Sequence, residues 1–106
     1  MIAAGEILQL QSLVTPSEGG IASRVLAKSL GGNLTLFAFD AGQELSEHTT
    51  PFDALVMVLE GRLRLTISGT PIEATPGTIV RMPANQPHAV AALSASRMLL
   101  LMLRDG

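Results

Sequence analysis

Short runs of apolar residues alternate with clusters of Gly, Pro, Asn and Ser along the whole chain, and most runs read at period two. In Arg62-Leu-Arg-Leu-Thr-Ile-Ser68, Leu63, Leu65 and Ile67 share one face while Arg62, Arg64, Thr66 and Ser68 share the other. That alternation predicts a strand with one dry and one wet side. Leu34–Phe39 is apolar on both faces apart from Thr35, and Ala54–Leu59 and Met98–Leu103 are apolar throughout. Strands of that kind need cover on both sides. The breaks fall at Gly19-Gly20, Gly31-Gly32-Asn33, Asp40-Ala-Gly42, Gly61, Gly69-Thr-Pro71, Pro76-Gly77, Pro83-Ala-Asn85 and Ser94-Ala-Ser96. Turn signals every 8–12 residues or so, between short strands, predict an all-β sandwich or barrel. Glu6–Val14 alone is ambiguous. Its apolar residues fall near helical spacing, but nine residues make a marginal helix, so a turn or two of helix or an edge strand is expected ahead of the barrel.

Length sets one domain over residues 1–106, with 1–20 as a segment that packs on or extends the barrel. The chain is 47% hydrophobic and 15% charged, so a barrel interior and a subunit interface are both needed to cover its apolar surface, and a homodimer is expected. There is no cysteine, which removes disulfides and thiolate metal sites. The N-terminus lacks a basic region followed by a long apolar stretch. The longest apolar run, Met98–Leu103, is far short of the ~20 residues that cross a bilayer. A cytoplasmic protein without membrane contact is the expectation. A net charge of −2, scattered Lys and Arg, and only three aromatics, all Phe, exclude a nucleic-acid partner, which would want a basic groove with stacking rings.

Residues 42–92 bring in candidate chemistry. The first block reads Gly42-Gln-Glu-Leu-Ser-Glu-His48-Thr-Thr50-Pro-Phe-Asp-Ala54-Leu-Val-Met-Val-Leu-Glu-Gly61. The second reads Gly77-Thr-Ile-Val-Arg-Met-Pro83-Ala-Asn85-Gln-Pro-His88-Ala-Val-Ala-Ala92. Together they resemble the paired motifs of the cupin superfamily, in which glycines and a proline frame a three-histidine, one-carboxylate metal site. The resemblance implies a small jelly-roll barrel, a double-stranded β-helix. Gly42, Gly61, Gly77 and Pro83 hold the scaffold positions. Asn85 stands where the family has glycine, a tolerable exchange because Asn accepts positive φ more readily than most residues.

The ligand positions depart from the family. His48 and His88 stand where the resemblance implies metal-binding histidines, but Thr50 replaces another histidine, Ala54 the carboxylate, and Ala92 the terminal Asn. Two imidazoles fall short of the three protein ligands usual at a catalytic metal. A divalent Zn, Ni, Fe or Mn ion would require a further donor. Glu44, Glu47 and Asp53 are the carboxylates nearest His48 in sequence. Of these Glu44 is placed to share its strand face, Glu47 to oppose it, and Asp53 to be turned by Pro51-Phe52. Met57, Met82, Met98 and Met102 are candidates to line a cavity for an apolar guest or to fill a core. Arg81 and Arg97 are either acid-orienting groups or solvated strand residues.

The leading expectation is a barrel that binds a small molecule through His48, His88 and Thr50, with little or no catalysis. The competing readings are a two-histidine metalloenzyme of oxygenase or isomerase type, a metal-free acid–base enzyme working through histidine, and a dimeric interaction module.

Overall fold

A computed structural model describes residues 1–104 and contains nine strands. These are β1 (Ile21–Ser29), β2 (Gly32–Phe39), β3 (Glu44–His48), β4 (Asp53–Glu60), β5 (Leu63–Ile67), β6 (Thr70–Ala74), β7 (Ile79–Met82), β8 (His88–Ala92) and β9 (Ser96–Leu103). They form two antiparallel sheets, ordered β1-β2-β9-β4-β7 and β3-β8-β5-β6. The expected all-β jelly roll is the observed architecture. Among the described residues no helix is long and apolar enough to cross a membrane.

Alternation along each strand decides what faces inward. On β5, Leu63 and Leu65 are buried while Arg64 between them is exposed. On β4, Ala54, Val56 and Val58 are buried, and on β8 His88, Val90 and Ala92 are. These side chains meet Phe39, Ala74, Met82 and Met98 in one core between the sheets. Each large side chain in that core contributes on the order of 1.5–3 kcal/mol by leaving water.

The five-stranded sheet is apolar on its outer side as well. Across it, Ile79, Met57, Leu99 and Leu36 lie in register on β7, β4, β9 and β2, and Leu55, Leu101 and Leu34 form the adjacent row. Leu36 and Ala38 are fully buried on this outer side. Part of the cover comes from residues 1–20, whose Leu8, Leu10, Leu13 and Val14 are half-buried. Ile2 N–H donates to the Leu26 carbonyl at 2.9 Å, and Arg97 Nε donates to the Val14 carbonyl at 3.1 Å. The segment is neither helix nor edge strand, contrary to both expectations for Glu6–Val14. Too few turns are available to offset helix nucleation, and its polar groups find partners at isolated points on the barrel.

A second difference concerns Gly69-Thr-Pro71, which reads as a turn. The turn is Ser68-Gly69, with φ of 49° and 82°, and β6 begins at Thr70. Positive φ at both central residues suits the two-residue hairpin that pairs Ile67 with Thr70. Pro71 is tolerated because β6 is an edge strand.

Gly61 shows why the hairpin after β4 requires glycine. Its φ is 79°, and a Cβ there would overlap the Ala95 carbonyl oxygen. Gly42 has a similar φ of 83° with open space around it. Gly61→Ala should therefore lose roughly 2–4 kcal/mol from strain and overlap together, and Gly42→Ala roughly 1–2 from strain alone. Urea denaturation of both variants checks the difference, which requires Gly61→Ala to have the lower midpoint.

Candidate functional site

His48 and His88 lie on adjacent strands, directly opposite each other in the β3–β8 ladder. An irregularity in register makes this pairing. Leu45 pairs with Val90, so a regular antiparallel ladder would set Glu47 opposite His88. One extra residue on β3 between Leu45 and His48 sets His48 there instead. Such a bulge re-aims every side chain beyond it. It also corrects the expectation for Glu44: Leu45 and His48 share the inner face, and Glu44 is exposed with Glu47.

The two rings meet edge to face, with centroids 4.4 Å apart and planes at 71°. His88 is buried and His48 is exposed at the rim. Each Nδ1 lies beside the carbonyl two residues before it in the chain: His48 at 2.9 Å from Ser46 O, His88 at 3.3 Å from Gln86 O. A carbonyl can only accept, so both Nδ1 atoms are donors, and each neutral ring keeps an unprotonated Nε2 with a free lone pair.

Both rings line a cavity of about 280 Å³ together with Phe37, Leu45, Thr50, Ala54, Met82, Val90, Met98, Leu100 and Met102. The walls are apolar apart from the imidazoles and the Thr50 hydroxyl. That hydroxyl is engaged within its own turn, with the Phe52 carbonyl at 3.3 Å and the Phe52 N–H at 3.4 Å. Asn85 takes the expected positive φ, 64°. Its N–H donates to the Thr50 carbonyl at 2.7 Å, which ties the second motif to the first at the cavity rim. A wider depression of about 540 Å³ lies among Met1, β1, β2 and β9, with Lys28 as its charged residue and no imidazole.

The four positions that the resemblance implies as ligands, His48, Thr50, Ala54 and His88, all line this one cavity. As a donor set they supply two nitrogens and no carboxylate. Asp53 does not complete it: Oδ1 accepts from Ala84 N–H at 2.9 Å and Oδ2 pairs with Arg81 at 3.4 Å, in a separate hollow. Among the described residues no group of three or more His, Cys, Asp or Glu side chains is placed to hold a metal. The residues present therefore do not match the family's three-histidine, one-carboxylate set. Arg81 is held by Asp53 and Arg97 by Glu60 and the Val14 carbonyl, so both are strand-face residues rather than acid-orienting groups. Of the four candidate methionines, Met82, Met98 and Met102 line the cavity, and Met57 faces outward because it alternates with Val56 and Val58. Phe37, Leu45, Val90 and Leu100 were not singled out from the sequence. Strand parity alone could have found all but Leu45, which the bulge conceals.

Two antiparallel sheets closed face to face around an apolar interior make a jelly roll, the double-stranded β-helix class. The chain belongs to the cupin family: the Cupin domain model matches residues 35–104. It is similar over 99% of its length to 92% of a conserved protein of unknown function from Streptococcus pyogenes, at 32% identity and a TM-score of 0.92. A cupin superfamily protein from Desulfitobacterium hafniense is 30% identical with a TM-score of 0.90, covering 98% of this chain and 95% of that one. A Cupin 2 conserved barrel domain protein from Leptotrichia buccalis is 35% identical with a TM-score of 0.87, over 92% of this chain and 47% of that chain. No curated protein matches the chain.

Burial pushes the pKa of His88 below its ordinary value of 6.5, helped by the facing His48 imidazole and opposed by the Gln86 carbonyl. Between the depressed folded value and the unfolded one, the unfolded chain binds more protons, so stability rises with pH. The contribution is fully present above the unfolded imidazole range and is lost as pH falls through the folded value. In chelator-treated protein the melting temperature should fall as pH drops from about 7 to about 5. His88→Asn should flatten that slope. An unchanged slope in the variant would show that the pH response lies elsewhere.

Proposed function

We propose that this barrel binds a small, largely apolar molecule in the cavity between its sheets, with His48 and His88 as polar anchors and Thr50 at the rim. The observation that carries this reading is the meeting of two imidazoles, both held through Nδ1, at the mouth of an otherwise apolar cavity. Such a pocket, mostly apolar with a few convergent polar groups, is the usual form of a small-molecule site. The cavity has the volume of roughly nine waters at about 30 Å³ each, which fits one substituted ring. With both Nε2 atoms as acceptors, the guest must bring a hydrogen-bond donor, as an alcohol or phenol does.

We also propose that the protein is a homodimer, formed on the outer face of the five-stranded sheet. The support is the continuous apolar surface of Leu55, Met57, Leu99 and Leu101, flanked by Ile79 at 60% exposure and Leu103 at 43%. A two-fold arrangement lets that one face cover itself.

A panel of small alcohols, phenols and acids, screened by thermal shift, should raise the melting temperature of the wild type. His48→Ala and His88→Ala should each reduce that shift severalfold. Equal shifts in the wild type and both variants would remove the histidines as anchors. Sedimentation at micromolar concentration should give a dimer for the wild type and a folded monomer for Leu101→Glu. A wild-type monomer would end the interface reading.

A further inference from the structure

The wall that the five-stranded sheet gives the cavity has a closed part and an open part. Ala54, Met82 and Met98 are at most 2% exposed and form its floor. Phe37, Leu100 and Met102 are only half-buried, so these are the side chains of that sheet that a guest can touch. Strand register fixes how they sit. Phe37 pairs with Met98, which makes Leu100 its diagonal neighbour on β9, at about 7–8 Å. Met102 follows Leu100 on the same face, about 7 Å further along the strand. Leu100 therefore lies between an aromatic ring and a thioether. The two flanking groups differ in freedom. Phe37 stacks on the buried Phe39, with centroids 6.1 Å apart and planes at 25°, which holds its ring in place. Met102 pairs with Ala54, whose small side chain leaves room beside it, and an unbranched thioether adapts to such room.

We infer that the cavity selects phenols over saturated alcohols of the same size, with Phe37 and Met102 as the residues that set the preference. The inference rests on the reading of this cavity as the binding site, and it narrows the ligand class. The wall is the first argument. A ring seated over Leu100 has a fixed aromatic on one side and a mobile sulfur on the other, both long enough to reach it. Aromatic pairs are favourable at centroid separations of about 4.5–7 Å, and thioether sulfur is favourable about 5 Å from a ring, often at its edge. A saturated ring buries similar apolar area and gains neither contact. The anchors are the second argument. With both Nδ1 atoms donating to carbonyls, the imidazoles offer acceptors only. A phenolic hydroxyl, with a pKa near about 10, is a far more acidic donor than an aliphatic one and makes the stronger bond to such an acceptor. Charge is the third. Neither lysine nor arginine lines the cavity, so an aromatic carboxylate would lose its water without gaining a partner.

The test titrates the full chain, treated with chelator, with phenol, cyclohexanol, toluene and benzoate, and follows methyl resonances by NMR. Phenol should bind at least about tenfold more tightly than cyclohexanol. That ratio is about 1.4 kcal/mol, within what one ring pair and one sulfur contact supply together. Its ring current should shift the methyl signals of Leu100 and Met102 most, and benzoate should shift neither. Leu is close to Met in volume and is tolerated in cores, so Met102→Leu should stay folded, and Phe37→Leu/Met102→Leu should bring the phenol and cyclohexanol affinities within about twofold of each other. Equal affinities in the wild type overturn the inference, as does a folded double variant that keeps the wild-type ratio. So do phenol-induced shifts that spare Leu100 and Met102, and this readout decides if the double variant does not fold. Should cyclohexanol bind as tightly as phenol with both still dependent on His48 and His88, the small-molecule reading stands and only the aromatic preference is lost. Toluene binding as tightly as phenol would instead remove the histidine anchors and leave the preference for a ring. If none of the four binds and the wider panel also fails, both readings fall together.

Discussion

The site depends on one extra residue in one strand. The bulge between Leu45 and His48 shifts the pairing of β3 with β8, so that an imidazole rather than the Glu47 carboxylate faces His88. In a period-two structure a shift of one residue exchanges the two faces of everything beyond it. Without it the cavity mouth would hold one histidine and one acid, with the other histidine in solvent. Bulges are common beside functional sites because they re-aim a side chain without disturbing the rest of the sheet. The remaining contacts at the rim, Asn85 N–H to the Thr50 carbonyl and Phe52 N–H to the Thr50 hydroxyl, fix the chain that leaves β3.

The barrel was legible in the sequence because its strands obey simple alternation. Leu63, Leu65 and Ile67 against Arg64 and Thr66 is the pattern of a half-buried strand, and β5 is that strand. The fully apolar runs at 54–59 and 98–103 became β4 and β9, in the middle of the larger sheet. The pairing of His48 with His88 across 40 residues was legible only through the family resemblance, since nothing local indicates it. The inner face of β3 was not legible at all. Alternation from His48 selects Ser46 and Glu44, and the bulge that replaces them with Leu45 leaves no mark in composition. The N-terminal segment escaped for a different reason. Its partners are distant in sequence, the Leu26 carbonyl and the side-chain guanidinium of Arg97, and no short-range pattern encodes those.

Apolar walls and polar anchors act on each other. The His88 imidazole is shifted toward its neutral form, since burial penalises the charged ring, and the facing His48 imidazole adds to that. Neutrality is the state in which Nε2 can accept a hydrogen bond or donate to a metal. The walls therefore do more than exclude water: they favour the protonation state that makes the His88 anchor usable. Because both Nδ1 hydrogens are taken by backbone carbonyls, the rings cannot exchange tautomers without giving up those bonds. The cavity therefore offers two acceptors and, from the rings, no donor.

Loss of the carboxylate at position 54 alters the charge of the site as well as its ligand count. A barrel with Glu there presents an anion that offsets a divalent ion. With Ala54 the cavity is neutral, and any cation inside it must be stabilised by dipoles and polarisable atoms alone. Met82 and Met102, set on either side of Ala54 by the β4 pairings, are the most polarisable groups in the wall. The same substitution widens the cavity for an organic guest, whose apolar body the thioethers also suit. Such a guest meets a soft neutral wall behind two fixed lone pairs.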